Sequence, residues 1–266
     1  MSKVILITGA SAGIGRACAD RMHRAGWTVI GASRRGTSPG SWAPLTMDVD
    51  RDDDVEKGVA QVLEEHGRLD AIVAGAGWGL AGPAEHTPVS SAKGQLETNL
   101  WGAVRLVQAA LPAMRGQGSG RVVLISSIGG LIGLPFQAFY SASKFALEGY
   151  GEALAYEVAP FGISVTMLEP GNVRTDFTAN RRNVEPTDGD ESYGPALAKA
   201  IGLIERDEAN GASPDDVAAA LERLLRAKRP PRRVSVGKLE ERVGIAAKRL
   251  LPYRIFEKAA AGSLGV

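Results

Sequence analysis

The chain has a single cysteine, no long apolar run and almost no net charge. Cys18 alone cannot form an internal disulfide, which excludes a disulfide-stabilised secreted domain and suits a reducing compartment. No apolar run approaches the roughly 20 residues that a membrane-spanning helix requires. The start of the chain shows no signal peptide, because the short apolar run after Lys3 is typical of a strand. We therefore expect a cytoplasmic protein.

Charge is balanced overall but unevenly distributed. The net charge of +1 creates no field that would attract nucleic acid. Residues 223–266 nevertheless hold twelve Lys or Arg and three Glu, a local charge of +9. We expect the basic extension, 238–266, to form helices that pack on the domain, although a basic amphipathic helix can instead lie on an anionic membrane. No base-reading motif accompanies it, so we expect no nucleic-acid partner, and we assign no metal site.

Short β-branched runs alternate with longer amphipathic stretches. Five runs are nearly continuous in apolar residues, as strands covered on both faces are: 4–8, 28–33, 69–74, 121–126 and 163–168. The amphipathic stretches are 14–25, 53–66, 90–116 and 139–159. With short strands at 44–47 and 232–236, the pattern predicts one α/β domain over 1–266. We expect a three-layer Rossmann-like, doubly wound fold with a mostly parallel seven-stranded sheet.

Two further segments have local signals. Ser213 can cap a helix that begins at Pro214 and leads to the last strand. Residues 178–195 are polar and contain glycine and proline. A loop of that length predicts a mobile substrate lid, with a plain surface loop as the alternative.

A glycine-rich turn, TGASAGIG (8–15), follows the first strand and opens the first helix. Gly9, Gly13 and Gly15 allow a tight turn and a close approach to a pyrophosphate, whose charge meets free N–H groups at the helix N-terminus. The spacing differs from the common GxGxxG pattern, and strand-to-helix turns often need glycine for other reasons. Its place after the first strand nevertheless favours dinucleotide binding.

The end of the second strand predicts which dinucleotide binds. An acidic residue there would bind the ribose 2′-hydroxyl of NAD. This chain instead has Ser33, Arg34 and Arg35, and a guanidinium pairs with a 2′-phosphate while an acid repels it. We therefore expect NADP(H) in preference to NAD(H). The alternative is a pair of solvated arginines.

In YSASK (140–144), Tyr140 and Lys144 share one face of a helix. A free tyrosine has a pKa of about 10, and a nearby ammonium or a positive nicotinamide would lower it. A phenol tuned toward neutrality is a competent acid or base. The residues between Tyr140 and Lys144 have small side chains, so a cofactor can approach the helix closely. A Tyr–Lys pair on a surface helix is also common by chance. Ser127 is expected at the carboxyl end of a strand, where doubly wound sheets bind ligands, and this favours the interpretation as an active site.

Together these motifs resemble the short-chain dehydrogenases/reductases of standard length, over about residues 3–176. The resemblance rests on a set of residues in a fixed order: Thr8, Gly9, Gly13, Ile14, Gly15, Asn99, Ser127, Tyr140, Lys144, Pro170, Gly171 and Thr175. The Ser33–Arg35 segment, apolar residues beside the site and KRLLPYRIF (248–256) resemble the hydroxysteroid/retinol dehydrogenase-like branch.

The resemblance implies a role for each site residue. Ser127 would polarise the substrate oxygen, Tyr140 would transfer its proton, and Asn99 would hold a water. Lys144 would lower the tyrosine pKa and bind the nicotinamide ribose. The other implied cofactor contacts are Gly9, Ser11, Gly13, Ile14, Gly15, Ser33, Arg34, Arg35, Asp48, Val49, Ala76, Gly77, Pro170, Gly171, Val173 and Thr175. Asp48 is equally well explained as a helix cap.

The family's usual NNAG is AGAG (74–77) here, so Gly75 replaces an asparagine and predicts lost rigidity. Trp78, Leu134 and Phe136 predict an apolar substrate pocket. The resemblance thus implies an NADP(H)-dependent oxidoreductase that interconverts a carbonyl and an alcohol. A noncatalytic dinucleotide sensor or a membrane-surface protein on the same fold is the alternative. We also expect a homodimer or homotetramer formed through helices 90–116 and 139–159.

Overall fold

The computed structural model describes residues 2–184 and 192–264. The strands are β1 Val4–Thr8, β2 Thr28–Ser33, β3 Ala43–Thr46, β4 Ala71–Ala74, β5 Leu80–Ala81, β6 Gly120–Ile125, β7 Ile163–Pro170, β8 Arg182–Asn183 and β9 Arg233–Val236. The helices are α1 Gly13–Arg24, α2 Asp52–His66, α3 Val89–Leu96, α4 Gly102–Gln117, α5 Ala138–Val158, α6 Gly194–Ala209, α7 Pro214–Arg226, α8 Leu239–Leu250 and α9 Tyr253–Leu264.

Seven strands form one parallel sheet in the order β3-β2-β1-β4-β6-β7-β9. The predicted doubly wound Rossmann-like fold is therefore confirmed, including the two short strands. The strand order reverses between β1 and β4, and ligands of such sheets bind at the carboxyl ends of the strands beside that point. The glycine turn follows β1, so it lies at this crevice.

Alternate residues of the central strands enter two apolar layers on opposite faces of the sheet. On one face Leu6 and Ile72 pack with helices α2, α4 and α5. On the other face Ile5 and Val73 pack with α1 and α7. Because both faces are covered, the strands are apolar throughout, which is the pattern that predicted them.

The predicted start of α7 is confirmed in detail. Ser213 accepts a hydrogen bond from the backbone N–H of Asp215, and Asp216 accepts one from the backbone N–H of Ser213. Two backbone N–H groups at the helix start are thereby satisfied, as in a capping box.

The predicted helix 90–116 is helical along its whole length, but it is not a regular α-helix in its middle. A π-helical turn, Glu97–Trp101, separates α3 from α4. Asn99 lies within this turn, where a helical ladder that is locally widened can accommodate a poor helix former and re-aim its side chain.

The segment predicted as a lid is only partly described, since residues 185–191 lie outside the described ranges. Its first part is tied to the body of the protein by β8, which pairs in parallel with β5. Arg182 N donates to Gly79 O at 2.9 Å and Val184 N to Ala81 O at 2.8 Å. This short two-stranded sheet was not predicted, because each strand has only two residues.

Helices α8 and α9 follow the last strand. The inner side of α8 contacts the domain, since Ile245 is buried and Glu241 accepts hydrogen bonds from Asn172. Leu239, Val243 and Leu250 on the same helix are exposed. Within the described ranges, no helix combines the length and the apolar character that a bilayer span demands.

Candidate active site

The glycine turn is shaped by close backbone approaches. Gly9 has φ = 73°, and a Cβ there would lie 2.7 Å from Gly75 O. A Cβ on Gly15 would lie 2.3 Å from Gly9 O. Both contacts are too short for any side chain, so these two glycines are required by packing and not only by flexibility.

The N-terminus of α1 suits a phosphate group. Within residues 13–16 there is no acidic side chain, and Ala12 supplies no side-chain cap, so the first N–H groups of the helix remain available. A Cβ on Gly13 would lie 3.4 Å from Thr175, which closes this end of the turn. The residues present therefore fit a pyrophosphate cradle. A cleft of about 300 Å³ adjoins it, lined in part by Gly13, Arg16 and Thr175.

The predicted adenosine contacts gather at the ends of β2 and β3. Arg34 and Arg35 are exposed, and Arg35 Nη2 donates to Ser11 Oγ at 3.0 Å. The Ser33 hydroxyl is buried and has no hydrogen-bond partner among the described residues. These residue types can bind a phosphate, because an unpaired hydroxyl and two exposed arginines follow one another at the end of β2.

Asp48 and Val49 follow β3. Asp48 Oδ1 accepts a hydrogen bond from Asp50 N at 3.2 Å, and Asp48 N lies 3.4 Å from Asp54 Oδ2. The residue therefore stabilises its own turn before α2, which is close to the alternative weighed from the sequence. Val49 is buried against the start of α4, where a Cβ on Gly102 would overlap its side chain.

The end of β4 is tied to β1 by a threonine. Thr8 Oγ1 accepts from Gly75 N at 3.1 Å and lies 3.3 Å from Ala76 N. A Cβ on Gly75 would lie 2.8 Å from Thr8 O. Thr8 thus supplies a link between the strands at the place where an asparagine is missing, and glycine permits the close approach.

Asn99 is fully buried and joins this strand end to α5. Its Oδ1 accepts from Trp78 N at 3.0 Å, and its Nδ2 donates to Trp78 O at 3.1 Å and to Ser143 Oγ at 3.2 Å. A Cβ on Gly77 would lie 3.1 Å from Asn99 Oδ1 and 3.9 Å from Lys144 Nζ. The asparagine, the lysine and the predicted cofactor surface therefore meet.

Ser127 and Tyr140 come together behind β6. Ser127 caps a short 3₁₀ turn, Ile128–Gly130, and its hydroxyl accepts from Gly129 N at 3.0 Å. Tyr140 lies in the first turn of α5, and a Cβ on Gly129 would lie 3.1 Å from Tyr140 Cε1 and 3.4 Å from Ser127 Oγ, so the two side chains are neighbours. Both side chains are at least nine-tenths buried. A substrate oxygen held here would meet two hydroxyl groups.

The charge environment of Tyr140 differs from the prediction. Burial raises its pKa above the ordinary value, and the charge of Glu208 adds to this, whereas the Ser127 hydrogen bond and the charge of Arg181 lower it. Lys144 is not among these causes. Its Nζ is 6.0 Å from the Tyr140 ring centre and donates to Ile125 O at 2.8 Å.

Lys144 belongs to a buried line of charges on α5. Burial lowers its pKa to about 8, and the charge of Glu148 one turn away raises it. Burial raises the pKa of Glu148 to about 7, with Glu169 adding to the effect and Arg233, at 3.3 Å, opposing it. Lys144 and Glu148 therefore both titrate close to neutral pH.

The segment after β7 covers the glycine turn. Pro170 pairs with Val236, and Gly171 N donates to Val236 O at 2.7 Å. The Val173 side chain is buried in the core, so only its backbone is available to a ligand. Thr175 Oγ1 accepts from Phe177 N at 3.2 Å beside Gly13. The structure thus brings this predicted segment next to the turn after β1.

The predicted substrate residues occupy different positions. Leu134 contacts Gly129 beside Ser127. Phe136 has φ = 57°, the one positive value for a non-glycine residue in the described ranges, and its carbonyl accepts from Gly82 N at 2.8 Å. The Trp78 indole instead donates to Thr98 and lies under Arg182, whose guanidinium is 4.2 Å from the ring centre.

Three residues beside the site were missed by sequence reasoning. The Phe177 ring meets the Tyr140 ring edge-on at 5.9 Å. Arg181, one turn further on, pairs with Glu208 of α6 at 2.5 and 2.6 Å. No spacing in the sequence links residues 177–181 to α6 or to Tyr140, so no local signal could have found them.

Comparisons with known proteins agree with this geometry. Residues 3–186 match the short chain dehydrogenase family. A 3-ketodihydrosphingosine reductase of Bacteroides thetaiotaomicron is 40% identical over 97% of this chain and 96% of its own length. Estradiol 17-beta-dehydrogenase 1 of Rattus norvegicus is 40% identical over 66% of this chain, but only 56% of that longer protein is covered. A short-chain dehydrogenase structure from Streptomyces avermitilis superimposes with a TM-score of 0.84 at 35% identity, covering 98% of both chains.

Proposed function

The chain belongs to the short-chain dehydrogenases, a family of oxidoreductases, and we propose that it interconverts a carbonyl and an alcohol on an apolar substrate with NADP(H). The bound nicotinamide would supply or accept the hydride. The protein's own part is to bind the dinucleotide, orient the substrate oxygen and move one proton at that oxygen.

The observation that carries this proposal is the placement of Ser127 and Tyr140 side by side at Gly129, with Lys144 one turn away on the same helix as Tyr140. Ser127 would hold the substrate oxygen, and Tyr140 would donate a proton to it during reduction or accept one during oxidation. Lys144 lies beside Gly77, where it can bind the nicotinamide ribose. Burial raises the pKa of Tyr140 and keeps the phenol protonated in the protein alone, so a positive charge brought close to it, such as that of an oxidised nicotinamide, would have to lower its pKa for efficient proton transfer.

The NADP preference is supported by the corner formed by Ser33, Arg34 and Arg35. A 2′-phosphate would receive hydrogen bonds from charged donors, and no acidic side chain occupies residues 33–36 to repel it. Ser11 and Arg35 already contact each other, so the phosphate-binding turn and this corner form one continuous surface.

An apolar substrate is supported by the apolar side chains of Leu134 and Phe177 beside Ser127 and Tyr140. A cleft of about 310 Å³, whose lining includes neither Ser127 nor Tyr140, runs along β5, β8 and α6. Ala81, Val184, Leu197 and Ile201 line it. The relative from Bacteroides thetaiotaomicron is named as a reductase of the ketone 3-ketodihydrosphingosine. Such a ketone is therefore the first substrate to try here, followed by steroid, retinoid and keto-ester carbonyls.

We further propose a cytoplasmic homo-oligomer that pairs through α4 and α5. Trp101, Phe145 and Tyr156 are exposed on or beside these helices, with 50%, 41% and 63% of their surface accessible. Large exposed apolar groups are typical of a surface that is covered in an assembly. Light scattering at micromolar concentration tests this, and a monomer would contradict it.

Tyr140→Phe tests the catalytic proposal, because it removes one hydroxyl and leaves the ring packed against Phe177. We expect NADPH affinity to be kept and turnover to fall by about 10²–10⁴-fold. Near wild-type turnover on any carbonyl would refute the assigned chemistry. Cofactor binding without turnover of any carbonyl or alcohol by the unaltered protein would instead favour a dinucleotide sensor.

A further inference from the structure

Arg181 is a buried cation whose hydrogen-bonding capacity is only half used. Its side chain is 1% exposed, and Nη2 donates to both carboxylate oxygens of Glu208. Neither Nε nor Nη1 meets a hydrogen-bond acceptor in residues 2–184 and 192–264. The next carboxylate, Glu205, lies 3.9 Å from Nη1. Buried donors without partners are rare in native proteins because each costs free energy, so this guanidinium requires an explanation.

The position of Arg181 is beside the reacting group. A Cβ on Gly79 would touch the Phe177 ring at 3.0 Å and Arg181 Cγ at 3.7 Å, so these three residues are neighbours. The Phe177 ring in turn packs against Tyr140. Arg181 therefore stands one aromatic ring away from the phenol, close enough for its charge to act on that group.

The side chain is also held in place before any ligand arrives. Arg181 N donates to Thr178 O at 3.2 Å, and the next residue enters β8, which is paired with β5. Thr178 Oγ1 also donates to Glu208, so the carboxylate that anchors the guanidinium is itself fixed. A donor pair that is immobile in advance loses little freedom on binding a ligand.

The charges decide which ligand this donor pair can take. Glu208 already neutralises the guanidinium, and Glu205 adds a second negative charge nearby. A carboxylate or phosphate would meet net repulsion, whereas a neutral carbonyl, ester or hydroxyl oxygen would meet two unpaired N–H groups.

We propose that Arg181 binds a second, uncharged oxygen of the substrate, close to the carbonyl that reacts at Tyr140. The inference rests on the proposed carbonyl reduction and narrows its substrate class to oxygenated ketones such as β-keto esters and hydroxyketones. Arg181 is then a specificity-determining residue, because substrates whose second oxygen accepts hydrogen bonds from its Nε and Nη1 bind more tightly.

The experiment compares a β-keto ester with the plain ketone of equal chain length, both reduced with NADPH. The unaltered protein should prefer the ester in kcat/KM by about tenfold or more, the value of one hydrogen bond to a charged donor. The ester also makes its ketone intrinsically more electrophilic, so the measure of Arg181 is the change in the ester-to-ketone ratio, which Arg181→Met should lower by about tenfold or more. Arg206→Met, an exposed position on the same α6 as Glu208, should leave the ratio unchanged.

Two outcomes would overturn the proposal: equal preference in the unaltered protein, or loss of both activities by the same factor in Arg181→Met. The second result would mean that the Arg181–Glu208 pair only supports the fold. If that variant does not fold, Arg181→Lys keeps a cation for Glu208 but lacks the planar fork, and it should also lower the ratio.

Failure of the proposed reaction is separable from failure of this inference. If the plain ketone is not reduced at all, the proposed function fails. The inference is then decided by calorimetric titration of the ester and the ketone into the NADP⁺-loaded protein. The ester should bind more tightly to the unaltered protein, and Arg181→Met should abolish that difference. Equal affinities in the unaltered protein would overturn the inference.

Discussion

The cofactor side and the substrate side of the candidate site are built in different ways. The cofactor side consists of turns that directly follow β1, β2 and β4, and its shape depends on backbone contacts such as Gly15 against Gly9. The substrate side is assembled from side chains of separate segments: Phe136, Phe177, Arg181 and Glu208. The first kind of geometry is encoded locally, and the second exists only after folding.

The largest expected effect of these comparisons concerns the cofactor side, whose shape depends on backbone contacts. In Gly15→Ala the added Cβ would lie 2.3 Å from Gly9 O, so the turn must shift by a large fraction of an ångström. A displacement of about 1 Å at a site costs on the order of a hundredfold, and we expect NADPH affinity to fall by that order. Fluorescence titration measures the affinity.

Gly116→Ala is the matched control, because its Cβ would meet nothing within 4 Å. Unchanged affinity is expected for it. If Gly15→Ala binds NADPH as tightly as the control does, the close approach in the turn is not what shapes the cofactor side.

The same division explains what the sequence predicted. The sheet, its seven strands and the α7 cap follow from local periodicity and from single residues such as Ser213, and these predictions are confirmed. The π-helical turn around Asn99 was not predicted as such, although asparagine is a poor helix former. Helical periodicity cannot show where one residue is added to a turn.

The electrostatics of the site were beyond sequence reasoning for a related reason. The spacing of Tyr140 and Lys144 predicted that the lysine lowers the tyrosine pKa. Burial raises the pKa of Tyr140, and the charge of Glu208, which is 68 residues away in the chain, adds to this. Desolvation and long-range charge are properties of the packed structure, so a motif reports which groups are present but not how they titrate.

The next effect in size tests the adenosine corner. Ser33→Asp with Arg34→Ala should reverse the preference for NADP(H), because the new carboxylate repels a 2′-phosphate and accepts a hydrogen bond from a 2′-hydroxyl. One charged hydrogen bond is worth roughly 1.5–3 kcal/mol, or about one to two decades in the ratio of dissociation constants. Titration with both cofactors measures it.

In the proposed binding mode Tyr140 would face the nicotinamide end of the dinucleotide, so turnover with NADH should survive the double change. Arg35→Ala alone is the informative comparison, since Arg35 already donates to Ser11 and removing it should cost less. Tighter NAD(H) binding by the unaltered protein would show that the arginines form a solvated loop.

A smaller effect is expected on the pH dependence of stability, through Glu148, which lies one turn from Lys144 on α5. Burial raises the pKa of Glu148 from 4.5 to about 7. A raised pKa in the folded state means that its contribution to stability is present below about pH 4.5 and is lost as the pH rises through about 7. The glutamine in Glu148→Gln cannot ionise. The melting temperature of this variant minus that of the unaltered protein should therefore increase from pH 5 to pH 8.

The gain should be roughly a few degrees for a chain of this size. Glu152→Gln, one turn further along α5 and 56% exposed, serves as the control and should show the same difference at both pH values. A pH-independent difference for Glu148→Gln would mean that this carboxyl is ionised throughout and that Arg233 outweighs burial.

The smallest expected effect tests the substrate side through Phe136. Its φ of 57° lies in the left-handed region, which costs a residue with a Cβ about 1–2 kcal/mol. Phe136→Gly and Phe136→Ala both remove the ring that meets Tyr193, but only glycine adopts this conformation without that cost. At an ordinary position alanine is the more stable of the two, because glycine loses more chain entropy on folding. We therefore expect the order to reverse here. In urea unfolding, the free energy of unfolding of Phe136→Gly should exceed that of Phe136→Ala by roughly 1 kcal/mol. Both variants should lose turnover of apolar ketones to a similar extent, since the loss comes from the ring. If Phe136→Ala is the more stable variant, this loop relaxes without strain, and the substrate side is less rigidly built than the contacts of Arg181 indicate.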